Sequence, residues 1–286
     1  MSNVQIKLVF LSVLVTLLTT GCSGGSIFGP SPAEELSCKI DTLMNRGEYK
    51  QAIEYIDTLN LKYPSETNLR KKTMLTRAKA MEGLISDSIP LVDAQIEQTQ
   101  QELDSLKQYF TAVRETGLPG YIIAKEVQKT NILNGNNIQP RLGDALSSWV
   151  LVAHVKGQPD ITGLTIEIAG RRASSMASDA SARRVKGSSG EMFSFTTAEA
   201  DPIAQAIAGD TTSPAILYIE TSKGPITVNL NQQVLTAIWR TYQLSQVREQ
   251  HRLALVHREL LERKLAVARN QIANFTSENS NTSDNQ

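Results

Sequence analysis

The chain is predicted to be an α+β protein: a long antiparallel helical stalk of coiled-coil type, formed by helices near its two ends, with a β-rich head inserted between them. Three observations carry this reading. Ile89, Val92, Ile96, Thr99, Leu103, Leu106, Phe110 and Val113 follow one another in steps of three and four, the spacing of a coiled-coil seam. Residues 231–275 contain neither Gly nor Pro and set Leu261, Leu265, Ala268, Ile272 and Phe275 in the same rhythm, so they are expected to form one helix about 65 Å long. Between these segments, short runs rich in β-branched and aromatic residues alternate with turn residues.

Charge points each helix to its partner. Residues 88–116 hold five acidic and two basic side chains, and residues 231–275 hold seven basic and three acidic ones. Opposite net charge favours pairing of the two segments over pairing of either with itself. The seam of the second helix is imperfect, because its register also puts His251 and Arg258 at core positions.

At the amino terminus, Lys7 precedes the run Leu8 to Leu18, apolar except for Ser12 and Thr16, and small residues follow. This is the three-part anatomy of a signal peptide over residues 1–21. The run falls short of the roughly 20 apolar residues a membrane-spanning helix needs. Leu18-Thr19-Thr20-Gly21-Cys22 resembles the lipobox of bacterial lipoproteins, with Thr19 where those proteins usually carry an aliphatic residue. The resemblance implies a lipid-modified Cys22 at the mature amino terminus, and hence a membrane partner. Stable anchoring takes more than one acyl chain, each buried CH₂ contributing about 0.8 kcal/mol. By similarity to lipoprotein sorting rules, Ser23 in place of an Asp implies the outer membrane. The lack of an acidic cluster over Gly24 to Pro30, where Bacteroides-type surface lipoproteins tend to carry one, implies its periplasmic face.

Residues 22–33 are rich in Gly, Ser and Pro and read as a flexible tether. A helical region, 34–117, begins with a hairpin over 34–64. There the spacing Gly47, Tyr49, Ala52, Ile56, Leu59, Pro64 resembles the second helix of a tetratricopeptide repeat, although Lys39 stands where an apolar residue is usual. The pattern does not recur, and about three repeats are needed for an autonomous array, so the hairpin is expected to cap another part. A helix is predicted from Glu66 to Ser86. Asp87-Ser88-Ile89-Pro90 then supplies an N-cap and a first-turn proline, so a fresh coiled-coil helix is expected over 88–116. The head, 118–230, is predicted to hold strands at Tyr121–Val127, Trp149–Lys156, Leu164–Ile168, Met192–Phe195, Ile216–Glu220 and Ile226–Leu230, a short helix from Asp201 to Ala208, and a hairpin turn at Ser222-Lys223-Gly224-Pro225. Residues 276–286 read as a disordered tail.

The 29 basic and 29 acidic residues cancel, which argues against a nucleic-acid partner. Arg171-Arg172 and Arg183-Arg184-Val185-Lys186 read as solvated loops. With Cys22 lipidated, Cys38 is the only other thiol; it is expected to be buried and inert. The three histidines, His154, His251 and His257, lack metal-ligand spacing, so no metal and no cofactor are expected. No nucleophile elbow occurs, Lys186-Gly187-Ser188-Ser189-Gly190 lacks the setting of a phosphate-binding loop, and no carboxylate pair stands apart for acid–base work. No catalytic residue is nominated and the chain is not expected to be an enzyme.

Five triplets, beginning at Asp41, Asp57, Asp87, Asp104 and Asp210, resemble the Asp-(Ser/Thr)-(aliphatic or Thr) acceptor of O-glycosylation in Bacteroides-type bacteria. The resemblance implies Thr211 as the foremost acceptor, with Ser88 and Ser105 as further candidates. The leading expectation is a non-catalytic, lipid-anchored envelope scaffold presenting its head to a protein or glycan. The alternative is a periplasmic chaperone or peptidyl-prolyl isomerase, some of which also insert a β domain between helices. The Gly-Gly-(Asp/Glu)-Leu-Gly stretch of a parvulin is absent, and the head shows no evident aromatic-lined proline pocket.

Overall fold

A computed structural model of the chain describes residues 29–114, 120–143, 147–178 and 183–283, with side chains through residue 277. The predicted signal peptide and Cys22 lie outside these residues. The protein is mixed α+β, with a long helix before the β-sheet region and another after it. It divides into two compact units, 1–80 and 81–286, with the boundary inside the third helix.

In the first unit, α1 (Pro32–Asn45) and α2 (Tyr49–Lys62) form a hairpin. The helix begins at Pro32, inside the predicted tether, because Ser31 and Glu34 form a reciprocal capping box that fixes the start there. Gly47 takes φ +72° in the turn, a backbone state that costs glycine little. Ala52 is fully buried, and Ile40, Ile56 and Leu59 form the core with Leu36, Met44, Tyr55 and Leu69 against it. Lys39 is accommodated by setting its ammonium 4.2 Å from the Tyr55 ring centroid. Cys38 corrects the expectation of a buried thiol: it lies on the exposed side of α1.

The third helix, α3 (Thr67–Lys107), overrides the break predicted at 87–90 and passes through Pro90. An interior proline costs about 3 kcal/mol. Here Pro90 and Ser86, whose carbonyl it leaves without its helical partner, are both exposed. On the opposite side Ile85 and Val92 are buried. At its other end α3 stops at Lys107, short of the predicted 116. Phe110 and Val113, read as seam residues, instead form β1 (Phe110–Val113), paired with β2 (Tyr121–Ala124). The aromatic and β-branched residues of this run fit a pleated surface better than a helix.

All strand pairs are antiparallel. One sheet has the order β1-β2-β3-β4-β8-β7 and the other β10-β9-β5-β6, with β3 (Asn137–Gly143), β4 (Trp149–Val155), β5 (Ile161–Ile168), β6 (Arg171–Met176), β7 (Arg184–Gly187), β8 (Gly190–Phe195), β9 (Ala215–Thr221) and β10 (Ile226–Leu230). The chain crosses to the second sheet for β5–β6, returns for β7–β8 and crosses again for β9–β10, so neither sheet completes without the other. Strands β1, β3, β6 and β7 escaped the sequence reading. Pro140 inside β3 is tolerated because β2 pairs with β3 only at Leu142 and Gly143, leaving the strand unpartnered on that side at Pro140. Strands β6 and β7 are polar, basic edge strands.

Alternate residues aim inward from both sheets: Leu151, Ala153, Val155, Phe193 and Phe195 from one, Leu164, Ile166, Leu217 and Ile219 from the other. Helix α4 (Thr197–Ile207) touches strands of both sheets. It starts four residues before its predicted Asp201 because Thr196 and Glu199 make a capping box, placing Pro202 inside the helix. The last helix, α5 (Gln232–Ser283), buries Leu235, Ala237, Ile238, Thr241 and Leu244 against β2–β4 and α4. It also runs into the segment predicted to be a disordered tail, as far as Ser283.

Two buried carboxylates tie the layers together. Glu191 has a fully buried side chain that accepts from the backbone N–H groups of Asp160 (2.9 Å) and Ile161 (2.8 Å) and pairs with Arg184, joining β8 of one sheet to the start of β5 in the other. The adjacent Gly190 is obligatory, since a Cβ there would sit 2.1 Å from the Val155 carbonyl oxygen. Glu199 accepts from Ser178 N–H and Oγ–H, both at 2.7 Å, and from Thr196 N–H, and pairs with Arg183. Burial pushes the Glu199 carboxyl up, but Arg183 and the Ser178 and Thr196 donors outweigh it and hold it well below the usual carboxylate range.

Because this acidity is raised only in the fold, Glu199 contributes stability above the ordinary Glu range that is lost as pH falls below it. Glu199→Gln is expected to cost about 3 kcal/mol in denaturant unfolding at pH 7, as breaking a buried pair does. It should also flatten the acid limb of stability below about pH 4.3. An unchanged acid limb would place the acid sensitivity elsewhere.

Candidate functional site

The second unit has a groove of about 510 Å³ where α3 ends and α5 enters the head. Glu102, Ser105 and Leu106 line it from α3, and Trp239, Tyr242, Gln243, Gln246, Val247 and Gln250 from α5. The aromatic pair is braced from within. Trp239 and Tyr242 lie 5.5 Å apart between ring centroids, Trp149 and Tyr242 meet edge to face at 6.4 Å, and the Trp149 indole N–H donates to Asp201 at 2.9 Å. The wall offers amide donors and acceptors beside aromatic surface, with Glu102 its one charge.

Around the groove, polar contacts fasten α5 to the head. Glu249 accepts from Ser147 Oγ–H at 2.7 Å and from Arg252, and its carboxyl is lowered to about 2, first by the Arg252 hydrogen bond and then by Ser147. Arg248 donates to the Gly143 carbonyl at 2.9 Å. Arg240 stacks 3.9 Å from the Tyr109 ring centroid and pairs with Glu126.

Farther along, α5 meets α3 through side chains that step in opposite directions. Thr99 Oγ1 lies 2.9 Å from His251 Nδ1, Asp93 pairs with Arg258 at 2.6 Å and Glu82 with Arg269 at 2.9 Å. Eleven residues separate Glu82 from Asp93, and eleven separate Arg269 from Arg258. Between the polar pairs, Ile85, Val92 and Leu261 form an apolar cluster flanked by Met81, Ile89, Ile96 and Leu265. His251 and Arg258, the irregularities of the predicted seam, thus each find a polar partner on α3.

The sequence-predicted sites are scattered. Thr211 is half-buried in the irregular loop between α4 and β9, where Asp210 folds back to accept from Thr212 and Ser213 N–H groups. Ser88 lies on α3 with its hydroxyl donating to the Leu84 carbonyl at 2.7 Å, whereas Ser105 is exposed on α3 and lines the groove. The basic runs are not solvated loops. They lie on or beside edge strands β6 and β7, with Arg171 against Asp210, Arg172 against Glu167, Arg183 against Glu199, Arg184 against Glu191, and Lys186 against Asp160. The Gly-Ser run at 187–190 is the β7–β8 turn. Among the described residues no group of three His, Cys, Asp or Glu side chains could hold a metal ion, and no helix is long and apolar enough to cross a membrane. The groove went unseen in the sequence because its two aromatics lie in a segment read only for heptads; the signal available was Trp239 and Tyr242 three apart, about one helical turn, the sole aromatics between residues 231 and 274.

Polar pairs within an apolar seam specify register more than they stabilise it. Thr99→Val with His251→Leu is therefore expected to leave hydrogen-exchange protection over residues 244–270 equal to or above that of the native chain. Asp93→Ala should cost under about 1 kcal/mol, as exposed ion pairs do. A loss above about 2 kcal/mol in the double variant would mark the pair as a stabiliser instead. No protein-family model, no curated protein and no solved structure matches this chain, so the reading of the site stands on its geometry.

Proposed function

We propose that the chain is a non-catalytic, lipid-anchored envelope protein of the outer membrane, facing the periplasm, that holds a β-rich head on an antiparallel two-helix stalk for interaction with an envelope protein or glycan. The observation that carries this reading is the matched stepping of Thr99–His251, Asp93–Arg258 and Glu82–Arg269 along α3 and α5. Helices that keep one antiparallel register over this length make a spacer, and the groove with Trp239 and Tyr242 lies where spacer and head join. The lipobox-like junction at Cys22 supports a membrane address for it, and Thr211, on an irregular loop, is the acceptor best suited to a glycan.

The second reading, a periplasmic chaperone or peptidyl-prolyl isomerase, draws support from the same groove, because Trp239 and Tyr242 offer the aromatic surface a proline-containing peptide would use. Prolyl isomerisation of a model peptide, abolished by Trp239→Ala, would favour it. Under the scaffold reading no acceleration occurs.

Two measurements test the scaffold directly. Cys22→Ser should move the chain out of the detergent-extractable membrane fraction and remove the lipid mass from its amino-terminal peptide. Ile96→Cys with Ala254→Cys, in a Cys38→Ser background, should oxidise to an intramolecular disulfide, while Ile96→Cys with Leu261→Cys, one heptad out of register, should not. Failure of the first pair to close removes the stalk.

A further inference from the structure

The two sides of the α3–α5 pair are unlike. One carries the cross-helix ion pairs Asp93–Arg258 and Glu82–Arg269, with a single exposed leucine, Leu255. The other carries aliphatic side chains at heptad spacing. Leu84 and Leu91 immediately precede the seam residues Ile85 and Val92 on α3, and Leu253, Leu260 and Val267 immediately precede Ala254, Leu261 and Ala268 on α5. In an antiparallel pair the helical turns mirror each other when viewed from one end, so residues that precede the seam on each helix project to the same side. Leu91 is 73% exposed, and Leu253, Leu260 and Val267 are about half exposed (52%, 46% and 57%). Seven and fourteen residues before Leu253 on the same line stand Gln246 and Trp239, both in the groove. The groove and the aliphatic line therefore share one face.

Besides Glu102 in the groove, two charges on this face stand apart from the ion pairs. Asp87 lies between Leu84 and Leu91, Lys264 lies between Leu260 and Val267, and both are exposed with no ion pair among the described residues. Their neighbours on the other side are paired. The register set by Glu82–Arg269 and Asp93–Arg258 brings Asp87 level with Lys264, Leu91 level with Leu260, and Leu84 level with Val267.

We propose that this face is the docking surface for a second copy of the chain, related by a two-fold axis parallel to the helices. That axis lays α3 of one copy against α5 of the other at unchanged height, so Leu91 meets the partner's Leu260, Leu84 meets its Val267, and Asp87 meets its Lys264. Residues 81–107 hold six acidic side chains and one basic, and residues 244–270 hold six basic and three acidic, so each acidic helix faces a basic one. A two-fold axis across the helices would stack α3 on α3 and set like charges together. The parallel axis also puts both copies of the α3 amino-terminal end on one side, as two anchors in one bilayer require. The inference rests on the antiparallel pairing of α3 with α5 proposed above.

The test uses the full-length chain in nanodiscs, with Cys38→Ser removing the exposed thiol. Leu91→Cys on one tagged chain and Leu260→Cys on another should give a mixed disulfide on oxidation, in excess over either homodisulfide. Lys264→Glu should weaken self-association about tenfold in sedimentation, and Asp87→Lys added to it should restore the dimer. A monomer at all concentrations, a predominant Leu91→Cys homodisulfide, or a dimer indifferent to Lys264→Glu each overturns the proposal. The Ile96→Cys/Ala254→Cys closure separates the failures: if it forms and the mixed disulfide does not, the stalk stands and the dimer falls; if it does not form, both fall.

Discussion

One helix serves two cores, and the rest of the second unit follows from that constraint. Over its first four turns α5 buries Leu235, Ala237, Ile238, Thr241 and Leu244 in the head. Beyond them Ala254, Leu261 and Ala268 are buried in turn, with Leu261 in the apolar cluster formed with α3. Packed apolar residues hold the first turns of α5 in the head, and farther along the same helix Leu261 packs with Ile85 and Val92 of α3. Leu103 and Leu106, at the end of α3, belong to the head core as well, so both helices are gripped at the same end. Leu103 and Leu244 are thus core residues of the head contributed by the two long helices.

Within the head, the chain passes between sheets repeatedly, and the joints are polar. Glu191 and Glu199 each gather backbone N–H groups and an arginine from segments that neither a strand ladder nor a helix would hold. A buried carboxylate costs several kcal/mol in lost hydration unless its oxygens are fully engaged, and both here are. The same arrangement explains the basic runs of the sequence. Arg183 and Arg184 supply the counter-charges, and the place of Arg184 and Lys186 on edge strand β7 also discourages another chain from adding to the sheet.

The sequence made the long elements legible and the joints not. Heptad spacing located α5, and period-two alternation with turn residues located β2, β4, β5, β8, β9 and β10, because those patterns record which side of an element is buried. The proline at position 90 misled, since local chemistry describes a helix start there while the packing of Ile85 and Val92 decides otherwise. Phe110 and Val113 satisfied a heptad and a strand equally well; only pairing with Ala124 and Tyr121, set by the fold, distinguishes them. Strands β6 and β7 are serine- and arginine-rich edges with little burial to record. The groove was invisible for a related reason: its lining comes from two helices more than a hundred residues apart in the chain.

His251 and Arg258 show why an imperfect seam can be informative. An unbroken line of leucines would let α5 slide against α3 by a heptad at little cost, because each new contact would resemble the one lost. Thr99 and Asp93 remove that freedom. Slipping by seven residues would bring His251 level with Val92 or Leu106 in place of Thr99, and neither side chain can bond it. It would likewise bring Arg258 level with Ser86 or Gln100 in place of Asp93. An imidazole nitrogen facing an aliphatic side chain loses its hydrogen bond, a cost of about 0.5–1.5 kcal/mol for this part-buried contact, which favours one height along the two helices. The apolar residues supply the attraction and the polar ones choose the register, a division of labour that a hydrophobic pattern alone cannot reveal.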